Sequence, residues 1–136
     1  MTRSEARIEA FKLVFQITAH RESYPEVVLM FEEDNASMKK SDKKQFLYIT
    51  DAANGVFNNM SEIDKIISEN IKSDWSIERL SKVTLAILRL AIYEIKFVES
   101  IPCSVSANEA VEIAKAYDID DAPGFINGVL KSVIGK

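Results

Sequence analysis

The stretch Trp75–Val98, WSIERLSKVTLAILRLAIYEIKFV, decides the fold. From Val83 to Tyr93 its side chains are apolar almost all round, with Thr84 and Arg89 the only polar ones. A helix that is apolar on every face is a buried helix. Glu78, Arg79, Lys82, Arg89 and Glu94 fall inside the run, too much charge for a bilayer span. Ser76 stands where an N-cap hydroxyl would accept a first-turn N–H, and Pro102 lies past the far end. The segment reads as the central helix of an all-α bundle. Arg89, the charge in the apolar middle, calls for a carboxylate, and Glu109 or Glu112 is expected to supply it.

The flanking sequence supplies helices to pack on it. Over residues 3–20, Ala6, Ile8, Ala10, Phe11, Leu13, Val14, Phe15 and Ile17 fill one arc at helical spacing, and Glu5, Glu9, Lys12 and Gln16 the other. Arg3 and Arg7 fall inside the apolar arc. Either they emerge at its rim by snorkelling, or they are two cations one turn apart, presented to a phosphate backbone. A shorter helix follows Pro25 and closes in the polar stretch 34–37. Ser41 is the expected cap of the next helix, whose stripe is Phe46, Ile49, Ala53, Val56, Phe57 and Met60. Ser61–Asp64 and Ser106–Glu109 both have the spacing of a capping box, and each is taken as a helix start. The last helix is expected over residues 125–136. Gly55 and Gly128, both inside helices, are expected where helices pack closely. Trp75, at a helix junction, reads as a packing anchor.

At 136 residues, with 47% hydrophobic and 28% charged side chains, the chain is sized and composed like one soluble domain. Four glycines and three prolines suit helices. A single Cys103, with no signal-peptide pattern, points to a reducing, cytoplasmic setting. The net charge of −4 argues against a general coat for nucleic acid. The charge is uneven, however. Residues 38–44 carry four lysines against one aspartate, whereas residues 109–121 carry five acids against Lys115. The lysine run reads as a solvated helix start or as an RNA patch. A local basic face on an acidic protein would hold RNA weakly and need help.

No catalytic constellation emerges. His20 sits near a helix end, where its charge would meet the helix dipole. Cys103 has no partner motif. No glycine spacing makes a phosphate loop, and Asp118–Asp121 lacks the glycine and terminal glutamate of an EF-hand. Acids at that point suit the start of the last helix. The expectation is a binding or scaffold domain, without catalysis, metal or cofactor.

Three stretches together resemble the NusB family of bacterial transcription antitermination factors. They are Ala6–Arg7 to Ala10 with Val14–Phe15; Ala86–Glu94; and Ile101–Pro102 with Val105–Lys115 and Phe125–Leu130. The resemblance implies one all-α domain of about seven helices in two packed sub-bundles, residues 1–60 and 61–136. It implies a partner, the ribosomal protein NusE, and a heterodimer that binds boxA-type RNA in transcription of ribosomal RNA operons. NusA, NusG and RNA polymerase join indirectly. It implies RNA contacts at Arg3, Arg7, Asp121 and Phe125, and a NusE face near Glu78, Arg79 and Thr84. Relatives often have arginines where Ser4 and Glu5 stand, and an acid where Thr84 stands. Some relatives are monomers when free and others homodimers that hide the RNA face. Two other readings stay open: a helical interaction domain without RNA specificity, and a stand-alone relative of the RNA-binding part of a ribosomal-RNA methyltransferase. The latter would lack both the room and the glycine-rich loop for its catalytic domain.

Overall fold

A computed structural model describes residues 1–136. Eight α-helices follow one another: α1 Arg3–Ala19, α2 Glu26–Asp34, α3 Ala36–Ser41, α4 Lys43–Asn58, α5 Met60–Asn70, α6 Lys82–Phe97, α7 Cys103–Tyr117 and α8 Ala122–Ile134. Short 3-10 turns at Arg21–Ser23 and Ile77–Arg79 lie between them, and no strand forms. No helix is long and apolar enough to cross a membrane.

The central position expected for the quoted stretch falls to α6. Ten of its sixteen residues are buried, and α1, α4, α5, α7 and α8 all pack on it. Leu88 and Ile92 are wholly enclosed. Burying each contributes about 2–3 kcal/mol. That burial outweighs the modest helix propensity of the β-branched Val83, Thr84, Ile87 and Ile92.

The helix starts differ from expectation, for reasons that are local. Ser76 caps nothing. Residues 77–79 form a 3-10 turn, Leu80 is extended, and Ser81 accepts from the Thr84 N–H (3.1 Å) as the true cap of α6. Ser41 closes the six-residue α3, its hydroxyl donating to the Ser37 carbonyl (3.1 Å), and Asp42 precedes α4. Asn59, not Ser61, precedes α5. Its side-chain amide donates back to the Gly55 carbonyl (2.8 Å), so it closes α4 where α5 begins. α7 starts at Cys103 after Pro102, which leaves Ser106 buried inside it. α8 starts at Ala122, with Pro123 in the first turn where its missing N–H is not needed.

The two glycines part company. A Cβ at Gly55 would lie 2.2 Å from the Tyr93 ring, so α4 and α6 touch there through a position where a side chain would have to displace that ring. Gly128 has open space around it, and the close packing expected there is absent.

Candidate nucleic-acid interface

α1 places Arg3 and Arg7 one turn apart, but at different depths. Ala6, Arg7 and Ala10 are all buried, so the core runs through the first turns and does not stop short of them. Arg7 is 3% exposed. Its Nε and Nη2 donate to the two oxygens of Glu94 at 2.9 and 3.1 Å. Glu94, on α6, is itself 1% exposed. It also accepts from Ser106 on α7 (2.8 Å) and from the Tyr48 hydroxyl on α4. These bonds fill the lone-pair sites of an ionised carboxylate. Glu109 adds a second negative charge, 3.5 Å from Arg7 Nη1, and accepts from Ser4 (2.6 Å).

The electrostatics follow from this enclosure. Burial pulls Arg7 towards deprotonation, but its bond to Glu94 and the surrounding negative charge outweigh that and hold its proton more tightly than usual. Burial first, and then the Glu94 charge, pushes the Tyr48 phenol far above its ordinary range. The knot is closed and compensated, and no buried side-chain polar atom is left unpaired. Arg7 is therefore not presented to solvent as a phosphate-binding cation.

Arg3 is half-buried and faces outward. Its Nε donates to Gln45 (2.7 Å), and its guanidinium lies over the Tyr48 ring, 4.3 Å from the centroid. Neither partner carries negative charge, and Arg3 is in no ion pair. Its charge is held in place yet free for a ligand.

The other expected residues lie about the start of α8 and the turn before α6. Asp121, exposed, directly precedes that helix without capping it. Phe125 is half-buried, 6.1 Å from the Trp75 ring, and the Arg79 guanidinium lies 5.3 Å from that same ring. Trp75 is 43% exposed, so the residue expected as a packing anchor is an open aromatic surface. Glu78 and Arg79 are exposed on the 3-10 turn. Phe125, expected at RNA, and Arg79, expected at a protein partner, thus both lie against Trp75. Thr84 does not join them. It is buried, and its hydroxyl donates to Asp118 (2.6 Å). No hydrogen bond, ion pair or ring contact joins Arg3 to Phe125.

Arg89 makes neither of the expected pairs. It binds Asp64 of α5 through Nε and Nη2 (2.9 and 2.8 Å), and its Nη1 donates to Thr18 of α1 (3.1 Å). Glu109 and Glu112 lie on α7, and α5 reaches Arg89 instead. Sequence reasoning also missed Tyr48, which lies off the apolar stripe of α4. The available signal was Glu94: a carboxylate in so apolar a helix needs donors, and Arg7, a cation in an apolar arc, needs an acceptor.

The chain's relatives bear on this arrangement. Residues 4–135 match the model of the NusB family. Transcription antitermination protein NusB of Clostridium novyi (strain NT) is 42% identical over 135 residues, 98% of either chain. NusB of T. maritima superposes with a TM-score of 0.85 at 34% identity, covering 100% of this chain and 92% of that one. The crystal structure of antitermination factors NusB and NusE in complex with dsRNA contains a similar chain: TM-score 0.81, 27% identity, 99% of this chain and 98% of that one. With the match running from Ser4 to Gly135 and the fold shared end to end, the chain belongs to the NusB family.

Proposed function

We propose that this protein is a transcription antitermination factor that acts without catalysis, binding boxA-type RNA as a heterodimer with a NusE-type ribosomal protein. The observation that carries the reading is the likeness, over nearly the whole of both chains, to the NusB-type chain of the complex with NusE and dsRNA. Two surface features support it. Arg3 offers an uncompensated guanidinium. Phe125, with Trp75 beside it, offers an aromatic face of the kind on which unpaired bases stack.

In this reading Arg3 and Phe125 contact RNA and Asp121 accepts from a base amino group. Arg7 serves the site from beneath, by holding Glu94 and through it Tyr48. The partner meets Glu78 and Arg79, while Thr84 orders that edge through Asp118. Residues 1–60 and 61–136 are the two sub-bundles of the domain. The pair works in the cytoplasm on nascent ribosomal RNA transcripts and reaches NusA, NusG and RNA polymerase indirectly. A homodimer that covers the RNA face is a competing state of the free protein.

With a net charge of −4, the protein alone should bind RNA poorly. The test is binding of labelled boxA-type RNA at two salt concentrations, with and without the NusE-type partner. Strong synergy is expected, lost when the RNA is scrambled. Phe125→Ala should cost about 1–3 kcal/mol of RNA affinity, as for removal of a stacking ring. Partner binding without RNA synergy would overturn the reading and leave a scaffold.

A further inference from the structure

Beside Arg3 opens a groove of about 320 Å³, walled by the start of α1, by α4 and by the turn after α6. It joins residues that are far apart in sequence and that no reading of the sequence linked. Arg3 and Lys44 stand on its wall, Leu47, Tyr48 and Tyr93 provide an apolar and aromatic floor, and Asp51 lies along it.

Three features suit this groove to a ligand. Its cations are uncompensated: neither Arg3 nor Lys44 is in an ion pair, and nor is Lys39, Lys40 or Lys43 earlier in the same run. The one acid of that run, Asp42, binds the amino group of Met1 (2.8 Å). The rings of the floor are held in place: Tyr48 is tied to Glu94, and the Tyr93 ring packs against Gly55. A floor already in place saves the ordering cost of binding. Finally, the floor is open, with Leu47 41% exposed.

We propose that this groove is a nucleotide subsite for single-stranded RNA. Arg3 and Lys44 take the phosphate, the base lies over Leu47 and Tyr93, and Asp51 accepts from the amino group of an adenine, cytosine or guanine. Each part has its physical reason. Two unpaired cations lining one groove suit a phosphate. An apolar floor bearing aromatic rings suits a base and not a phosphate. The lone carboxylate repels phosphate and accepts from exocyclic amino groups, which favours a base that carries one over uracil, whose ring N3–H is its sole base donor. The groove also gives one member of the lysine run a place: Lys44 lines an open floor and does not face bulk solvent alone.

The inference rests on the antitermination reading for its RNA and partner, and the test separates the two. Affinity for boxA-type RNA is measured for the heterodimer carrying Lys44→Gln, with Lys65→Gln, on the exposed face of α5, as the control. Lys44→Gln should weaken binding about fivefold near 0.1 M salt and flatten the salt slope by about 0.7, as for one lost phosphate contact on a single strand. Lys65→Gln should change neither. Each adenosine, cytidine or guanosine of the RNA is then replaced in turn by uridine. One replacement should cost the wild type about fivefold and cost Asp51→Ala nothing further. If Lys44→Gln behaves like Lys65→Gln while the wild-type pair binds RNA, the groove is not a subsite and the antitermination reading stands. If Lys44→Gln weakens the partner and not the RNA, the groove belongs to the partner and the inference fails. If the wild-type pair binds no RNA, both readings fall together.

Discussion

The closed knot around Glu94 and the open groove beside it use the same residue types to opposite ends. Arg7, in the knot, spends its charge on Glu94 and Glu109 inside the protein. Arg3, one turn earlier on the same helix, keeps its charge for the outside and leans on an uncharged ring. Tyr48 belongs to both: its hydroxyl serves the knot and its ring serves the groove. The lesson is that helical spacing places two cations on one arc, whereas depth decides whether each is structural or functional. Four residues separate a core ion from a candidate ligand-binding one.

That contrast can be broken hardest at Arg7. Arg7→Ala leaves Glu94 buried with a charge that Tyr48 and Ser106 alone must satisfy. Urea unfolding should show a loss of about 3–5 kcal/mol, as for one partner removed from a buried pair. Arg7→Lys should not restore it, because an ammonium cannot make both bonds to the carboxylate at once. If Arg7→Ala unfolds at the wild-type midpoint and lowers only RNA affinity, then the arginine of the knot is a ligand-binding one and the contrast is gone.

A smaller effect is expected at the shared residue. Tyr48→Phe removes one hydrogen bond to an ionised group and should cost about 1.5–3 kcal/mol. It should also change the alkaline limb. In the folded protein the Tyr48 phenol is held far above its ordinary range, first by burial and then by Glu94. The unfolded chain releases that proton near pH 10 while the folded one keeps it, so wild-type stability should fall as pH rises above about 10. In Tyr48→Phe that fall should be shallower. Equal slopes would mean that the hydroxyl is not held in the knot.

The smallest stability effect belongs to Arg3. Arg3→Ala should leave the unfolding midpoint within about 0.5 kcal/mol of wild type, as for a surface change. RNA binding by the heterodimer should weaken in the same variant. A stability loss as large as that of Arg7→Ala would place Arg3 in the core and erase the distinction between knot and groove.

The fold was legible because it rests on long apolar patterns. The run from Val83 to Ile92 declares a buried helix whatever its neighbours do. Helix starts were less legible. Ser76, Ser61 and Ser106 each offered a capping hydroxyl, but capping is worth only about 1 kcal/mol, less than burying one extra side chain such as Leu80. Packing therefore moved the boundaries, and Ser106 became a donor to Glu94. The site was legible in part. Family resemblance pointed to Arg3 and Phe125, which are accessible, and to Arg7 and Thr84, which are buried. Nothing in a single sequence shows depth. Nor does spacing show that α5 faces Arg89 with Asp64, because the meeting of helices 25 residues apart depends on the whole packing arrangement.

Gly55 carries a consequence for how such a chain can evolve. The hydrogen at that position faces the Tyr93 ring, and any larger substituent collides with it. Phenylalanine at 93 would not relieve the clash, because the ring carbons themselves lie closest. A side chain at position 55 therefore requires the half-buried Tyr93 ring to swing aside or position 93 to give it up. Across lineages, larger residues at position 55 should accompany smaller ones at position 93.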